Sequence, residues 1–239
     1  MRTATLLVAA AIAAGAAACN TPTEGANGNL QFTPQLCGGF MSCDFNDSIG
    51  VYGQINVTID GLNGTSTAGL DLASDDTSVL TVEPGEDIGG QPSWVLTATG
   101  AGVARLAALT PGAEEVDFVE VGVQDVQYLT LESFVGDAVG PSDEAGYDEG
   151  WTVNADQLVS WYVRPRIAGD APTMGRFSIE TVLDAGNDWL TGTEESSSDR
   201  PNGYLYVRLP VGDYPIRFEV TEDPGIGVDA MIHAVQTQQ

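Results

Sequence analysis

The sequence of 239 residues has no lysine and only one histidine. Its eight arginines are outnumbered by 34 aspartate and glutamate residues, so the formal net charge is −26 at pH 7. Nucleic-acid-binding proteins need clustered basic side chains that displace counterions from phosphates. The absence of lysine excludes Schiff-base chemistry, and one histidine leaves few general bases. The composition therefore predicts a protein that binds no nucleic acid. It also offers few of the residues that enzymes use for catalysis.

Long apolar runs are missing except at the start of the chain. Arg2 is followed by an uncharged apolar run from Ala4 to Ala14 and then by small residues, which is the layout of a secretory signal. The run is too short and too rich in alanine to span a bilayer, which needs roughly 20 strongly apolar residues. We therefore expect residues 1–18 to be a cleaved signal peptide and the chain to be exported.

The end of this segment, Ala16-Ala17-Ala18-Cys19, resembles a bacterial lipobox. The resemblance implies that Cys19 is acylated and that an N-terminal lipid anchor joins the protein to the membrane. Ala16 stands where the motif more often has leucine, so cleavage by an ordinary signal peptidase is the alternative. Asn20, rather than aspartate, implies the outer membrane, facing the periplasm or the cell surface. Residues 19–29 are small and polar and predict a flexible tether.

Only three cysteines are present, and the anchor would use one of them. Cys37 and Cys43 remain, and in an oxidising exported setting such a close pair most simply forms a disulfide. A zinc site is the weaker alternative, because zinc wants four ligands and the only histidine, His233, lies at the far end of the chain.

The body of the chain consists of short alternating runs separated by glycine, asparagine, aspartate and proline, which predicts an all-β protein. In the segment 51–60, for example, alternation places Val51, Ile55, Val57 and Ile59 on one face. Seven short strands at this spacing indicate a sandwich.

The sequence from Gly50 to Val123 resembles a bacterial immunoglobulin-like domain of the group-2, intimin/invasin-related kind. The resemblance rests on Ser74-Asp75-Asp76-Thr77-Ser78-Val79-Leu80-Thr81-Val82 and on the later stretch from Thr97 to Leu106, TATGAGVARL. It implies a sandwich over residues 30–124 that serves as a spacer or adhesion module and carries no catalytic residue.

Residues 125–239 predict a second sandwich, so the expected fold is all-β, with two consecutive immunoglobulin-like antiparallel β-sandwiches. In the segment 158–167, Val159, Trp161, Val163 and Ile167 share one face. Pro165 indicates an edge strand or a bulge there, because proline cannot donate to a strand ladder.

Six of the seven arginines of the mature chain lie beyond residue 160. Alternation places four of them on outward strand faces, two of these beside outward tyrosines: Arg164, Arg166, Arg208 and Arg217. If the strands that carry residues 162–166 and 204–208 are neighbours in a sheet, their outward side chains form one aromatic and cationic face. Tyrosine and arginine dominate binding hot spots and suit sugar or carboxylate recognition. The alternative is cross-strand packing with local ion pairs. The candidate binding face comprises Tyr162, Arg164, Arg166, Tyr204, Tyr206 and Arg208.

Acidic clusters raise the alternative of calcium, although solvated turns are the favoured interpretation and no twelve-residue calcium loop is present. We therefore expect neither a metal nor a cofactor. A surface glycan or protein is the expected ligand of a non-catalytic envelope lipoprotein; the alternatives are a hydrolase using a carboxylate pair and a purely structural component. The calcium candidates are Asp44, Asn46, Asp47, Asp143, Glu144, Asp148 and Glu149.

Overall fold

The structure is a computed structural model that describes residues 21–35, 43–135, 150–169, 171, 173–183 and 204–236. Within these ranges the chain forms sixteen β-strands and no helix. No helix in the described part of the chain is long and apolar enough to cross a membrane. The all-β prediction is confirmed.

The first nine strands form two facing sheets, the first sandwich. One sheet has the order β1-β2-β4-β7-β6 and the other has the order β3-β9-β8-β5. The strands are β1 (Thr23–Glu24), β2 (Leu30–Gln35), β3 (Ile49–Gly50), β4 (Gln54–Gly61), β5 (Asp71–Ser74), β6 (Leu80–Pro84), β7 (Ser93–Ala98), β8 (Gly102–Leu109) and β9 (Glu115–Gln124).

The strand order is that of an immunoglobulin constant-type domain. Strands β2, β4, β7 and β6 take the places of A, B, E and D, and β5, β8 and β9 take those of C, F and G. The inward residues Ile55 and Val57 on β4 and Leu106 on β8 are completely buried. Burial of one such side chain stabilises the fold by about 1.5–3 kcal/mol.

The remaining seven strands form the second sandwich. Its sheets have the orders β10-β12-β14 and β11-β16-β15-β13, which correspond to A-B-E and to an added edge strand followed by G-F-C. The strands are β10 (Tyr128–Val135), β11 (Trp151–Asn154), β12 (Leu158–Arg166), β13 (Ile179–Val182), β14 (Tyr204–Arg208), β15 (Gly212–Val220) and β16 (Asp223–Val235).

Aromatic side chains fill the core of the second sandwich. Trp161 is completely buried, as its predicted face requires, and it meets Trp151 edge to face, with ring centroids 6.1 Å apart. Phe218 and Ile232 close the core from the opposite sheet. The prediction of two consecutive sandwiches is therefore confirmed.

Two strand pairs depart from the predicted antiparallel arrangement. β3 runs parallel to β9, and β11 runs parallel to β16. In each sandwich a short early strand lies beside the last strand, and both of these strands run in the same direction. Pro165 lies on β12, the middle strand of the order β10-β12-β14. Pro165 nevertheless lies past Tyr162, where the described pairing with β14 ends.

The prediction of a flexible tether over residues 19–29 is wrong for residues 21–29. Thr23 and Glu24 pair with β2, and Ala26 N–H donates to Phe118 O at 2.9 Å. The buried carboxylate of Asp117 accepts backbone hydrogen bonds from Asn27 at 2.7 Å and from residues 29 and 30 at 2.8 and 2.9 Å. These bonds supply the fixed partners that a polar, glycine-containing segment needs in order to stay ordered.

A short segment of the second half, Thr173–Phe177, docks on the first sandwich, and we call this contact the junction. Gly50 N–H donates to Met174 O at 3.2 Å, and Met174 N–H donates to Ser48 O at 3.0 Å. Met174 is 3% exposed and belongs to the core of the first sandwich. The two halves therefore share part of a core.

Glycines permit this close approach. A Cβ on Gly50 would lie 2.8 Å from the ring of Phe177, and one on Gly53 would lie 3.0 Å from the same ring. Gly175 has φ +120°, and a Cβ there would lie 2.8 Å from Gly53 Cα. Side chains at these positions would separate the two sandwiches.

Candidate binding face

Strand register brings most of the predicted face together on the sheet β10-β12-β14. Tyr162 lies opposite Tyr204, and Ser160 lies opposite Tyr206. On the other side of β12, Thr130 lies opposite Arg164, and Tyr128 lies opposite Arg166. Because opposite residues of paired strands point to the same face, Tyr128, Thr130, Arg164 and Arg166 share one surface.

Arg164 and Arg166, the guanidinium pair, converge on Glu132 of β10. Arg166 Nη2 donates to Glu132 Oε1 at 2.7 Å, and Arg164 Nε lies 3.4 Å from the same oxygen. Arg166 Nε also donates to Thr130 Oγ1 at 3.1 Å. The arginine side chains are 20% and 17% exposed, and that of Glu132 is 39% exposed. Hydrogen bonds thus hold the Arg166 guanidinium near the surface, and the Arg164 guanidinium lies within ion-pair distance of the same carboxylate.

Tyr162 differs from its predicted outward position, because the residue is only 5% exposed. The guanidinium carbon of Arg164 lies 5.0 Å from the centroid of the Tyr162 ring, within the range of a cation–π interaction. Alternation along a strand tells which face a side chain takes, and it does not tell what covers that face. The buried Tyr162 ring therefore packs against the Arg164 guanidinium group.

Arg208 lies apart from the guanidinium pair. It stands opposite Leu158, six residues along β12 from Arg164, a separation of about 20 Å at 3.4 Å per residue. The Arg208 side chain donates from Nη1 to Asp156 O at 3.3 Å. The predicted face is therefore split, with Arg208 at the opposite end of the sheet.

The sequence interpretation missed Thr130 and Glu132. Both lie on the outward side of the run Tyr128–Val135, whose alternation is visible in the sequence. Their partnership with Arg164 and Arg166 depends on pairing across more than 30 residues. Knowledge that β10 and β12 are neighbours would have identified them.

The cysteine predictions stay predictions. Cys19 and Cys37 lie outside the described residues. Cys43 is completely buried in the first sandwich, in the connection that leads to β3.

Three of the calcium candidates lie in one described turn. Asn46 N–H donates to Asp44 Oδ1 at 2.7 Å, and Asp47 N–H donates to Asp44 O at 3.1 Å. Partial burial and then the charge of Asp44 raise the pKa of the Asp47 carboxyl above its ordinary value. Among the described residues no group of three metal-ligating side chains is present. Asp143, Glu144, Asp148 and Glu149 lie outside the described ranges.

His233 lies on β16, where its Nδ1 is 2.7 Å from Asp213 Oδ1 of β15. The histidine side chain is 37% exposed and that of the aspartate is 74% exposed. The two residues are directly opposite in the antiparallel ladder. The contact is a cross-strand pair at the surface of the second sandwich.

No family model and no curated protein matches the chain. Among solved structures, domains 5–6 of the S-layer protein SbsC share 14% identity over 91% of this chain and 100% of theirs, with a TM-score of 0.29. The Escherichia coli adhesin FdeC shares 12% identity over 90% of this chain and 66% of its own, with a TM-score of 0.30.

A Bacteroides ovatus protein of a mixed-linkage glucan utilization locus, SGBP-B, was solved in complex with a mixed-linkage heptasaccharide. It shares 10% identity over 82% of this chain and 44% of its own, with a TM-score of 0.30. At these identities and TM-scores the similarities carry no argument about ligand or activity. The fold assignment rests on the strand order given above.

Proposed function

We propose that this chain is an exported, non-catalytic binding protein of the bacterial envelope, held to the membrane by a lipid on Cys19. The first sandwich supports the second, and the second presents the guanidinium pair Arg164 and Arg166 to a ligand that carries carboxylate groups. A surface glycan containing acidic sugars and a protein with exposed carboxylates offer the same chemistry. No cofactor or metal takes part.

The observation that carries the proposal is the convergence of Arg164 and Arg166 on one partly exposed site. Glu132 and Thr130 hold the Arg166 side chain by hydrogen bonds, so this side chain loses little rotamer entropy when a ligand binds. Arg164 forms an ion pair with the same carboxylate. A planar guanidinium group matches a carboxylate with two parallel hydrogen bonds. In a chain with a net charge of −26, paired arginines also give an anionic ligand a defined place to dock.

A structural role is the second candidate, and specific contacts favour it. Glu132 already pairs with both arginines, and Tyr162 is buried beneath Arg164. In that case the charges stabilise the sheet β10-β12-β14 and bind nothing. The two roles differ in what happens to stability and to ligand capture when the arginines are replaced.

The test compares the mature protein with the double variant Arg164→Glu/Arg166→Glu and with the control Arg208→Glu. Each is presented to envelope glycans, to the same glycans after carboxyl reduction, and to intact cells with and without protease treatment. Capture that is lost in the double variant and kept in the control supports the proposal. Carboxyl reduction and protease treatment identify the source of the carboxylates.

Equal capture by all three proteins, or capture by none, would overturn the binding role. A double variant with a strongly lowered melting temperature, together with no capture by the parent protein, would establish the structural role. Circular dichroism melting curves of all three proteins separate loss of ligand from loss of fold.

A further inference from the structure

The chain enters the first sandwich from the end that carries the junction. Thr23 lies opposite Phe32, and Glu24 lies opposite Gln31, so tracing back toward Thr21 leads along β2 toward Gln35. Gln35 pairs with Asn56, two residues from Gln54, which contacts the second half at the junction. The opposite end of the sandwich is formed by the turns after β1, β4 and β8.

Thr21 is already fixed to the sandwich. Its N–H donates to Cys43 O at 3.0 Å, and Phe45 N–H donates to Thr23 Oγ1 at 3.4 Å. Cys43 and Phe45 lie in the connection that leads to Ile49 at the junction. Only Asn20 separates Thr21 from Cys19, and two residues span at most about 7 Å.

A two-residue connection from Thr21 is too short to reach a membrane surface that lies at the far end of the first sandwich. By continuation of the β1–β2 register, Thr21 lies level with Pro34, which pairs with Val57. The far end of β4, Gly61, is four residues further, or about 14 Å away at 3.4 Å per residue. The turn beyond Gly61 adds to that distance.

We infer that the membrane surface lies along the β1 side of the first sandwich, next to the junction. The protein is then attached to the membrane near its middle, between the two sandwiches. The inference rests on the proposed lipid at Cys19 and names the surface that faces the phospholipid headgroups. Exposed Thr21, Pro22 and Glu24 belong to that surface. Thr21 and Glu24 are polar, so this surface lies at the headgroups without insertion into the hydrocarbon.

Attachment near the junction changes the role of the first sandwich. A stalk would hold the second sandwich a full strand length, about 30 Å, above the bilayer. Attachment near the junction instead holds the start of the second sandwich close to the headgroups. The hydrogen bonds of Met174 and Arg176 at the junction then fix the direction in which the guanidinium pair faces. The ligand is expected within reach of the membrane surface.

The test uses the whole mature chain with a lipid thioester ligated to its amino-terminal Cys19, reconstituted in vesicles of phosphatidylethanolamine and phosphatidylglycerol. A photo-crosslinking amino acid replaces one exposed residue at a time. Glu24 reports the β1 side, Pro111 the far end of the first sandwich, and Val211 the far end of the second. We expect lipid adducts from position 24 at several times the yield from positions 111 and 211.

Highest yield from position 111 would overturn the inference in favour of an upright stalk, and equal yields from all three would overturn it in favour of free rotation. A matched protein with a long glycine-serine insertion between Asn20 and Thr21 should lose the preference, because the short reach imposes it. Since the lipid is ligated chemically, the result does not depend on native acylation. Intact-mass measurement of Cys19 in protein from host membranes tests the anchor separately.

Discussion

Arg176 and Gln54 exchange both of their backbone hydrogen bonds across the junction. Arg176 N–H donates to Gln54 O at 2.7 Å, and Gln54 N–H donates to Arg176 O at 2.9 Å. The Arg176 side chain adds a bond from Nη2 to Asn56 Oδ1 at 2.9 Å. A connection in the second sandwich thus extends a sheet of the first, and the two sandwiches should unfold together.

Gly175→Val should weaken this coupling. The residue has φ +120°, and its new Cβ would lie 2.8 Å from Gly53 Cα. Gly169→Val is the matched control, because Gly169 also has a positive φ, +81°, but a Cβ there meets nothing within 4 Å. Strained backbone costs about 1–3 kcal/mol at either position, and the clash adds to it only at Gly175. Urea unfolding of both variants measures the difference; equal losses would contradict a close-packed junction.

Asp117→Asn should destabilise the first sandwich by about 2 kcal/mol at neutral pH, because a buried carboxylate with several backbone donors is lost. Burial raises the pKa of the Asp117 carboxyl, but backbone hydrogen bonds from residues 27, 30, 118 and 29 outweigh burial and hold the pKa below its ordinary value of 3.8. The exposed Asp87→Asn is the control and should leave the free energy of unfolding almost unchanged.

The Asp117 contribution should also depend on pH in a defined direction. A lowered folded-state pKa means that the stabilisation is complete above the unfolded value of 3.8 and is lost as the pH falls through the folded value. The gap between parent and Asp117→Asn should therefore stay constant above about pH 5 and narrow in more acidic solution. Denaturant titrations across that range check it, and a gap that widens on acidification would contradict the assignment.

Glu132→Gln separates a binding role of Arg164 and Arg166 from a structural one. The carboxylate is 39% exposed, so its ion pairs contribute at most about 1 kcal/mol to folding. Removal of its charge should strengthen capture of a carboxylate ligand, because the ligand then competes with no internal anion. Calorimetry with the glycan or protein captured by the parent measures the change. Weaker or unchanged binding would speak against direct contact between the arginines and the ligand.

The predicted bond between Cys37 and Cys43 should appear as a mass two daltons below that of the reduced protein, since its formation removes two hydrogens. Reduction should cost about 2 kcal/mol, because the short loop restricts the unfolded chain only locally. Thiol labelling of the denatured, unreduced protein is the direct measurement. Labelling at both cysteines would contradict the disulfide.

Alternation in the sequence predicted the strands and their inward faces well. Trp161 and Val163 are completely buried, as their positions in the run 158–167 require. The same alternation placed Tyr162 outward, yet Tyr162 is buried too. Periodicity assigns a side chain to one of two faces, and the neighbours that cover a face come from distant parts of the chain.

The prediction from composition was wrong for residues 21–29 for the same reason, because contacts with distant parts of the chain decide their structure. Small polar residues and glycine indicate flexibility unless a partner orders them, and the partner here is Asp117, 90 residues away from Asn27. The binding-face prediction had a similar limit. Tyrosines and arginines on alternating positions were visible, but Glu132 and Thr130 joined them only through the pairing of β10 with β12.

The sequence by itself determined the all-β class, the two sandwiches and the inward face of each long strand, because those properties follow from local alternation and turn residues. Only the tertiary structure decided which arginines converge, that Asp117 orders the segment before β2, and that Thr173–Phe177 docks on the first sandwich. These features are contacts between residues far apart along the chain. Their free energy depends on which surfaces meet, and local sequence does not encode that.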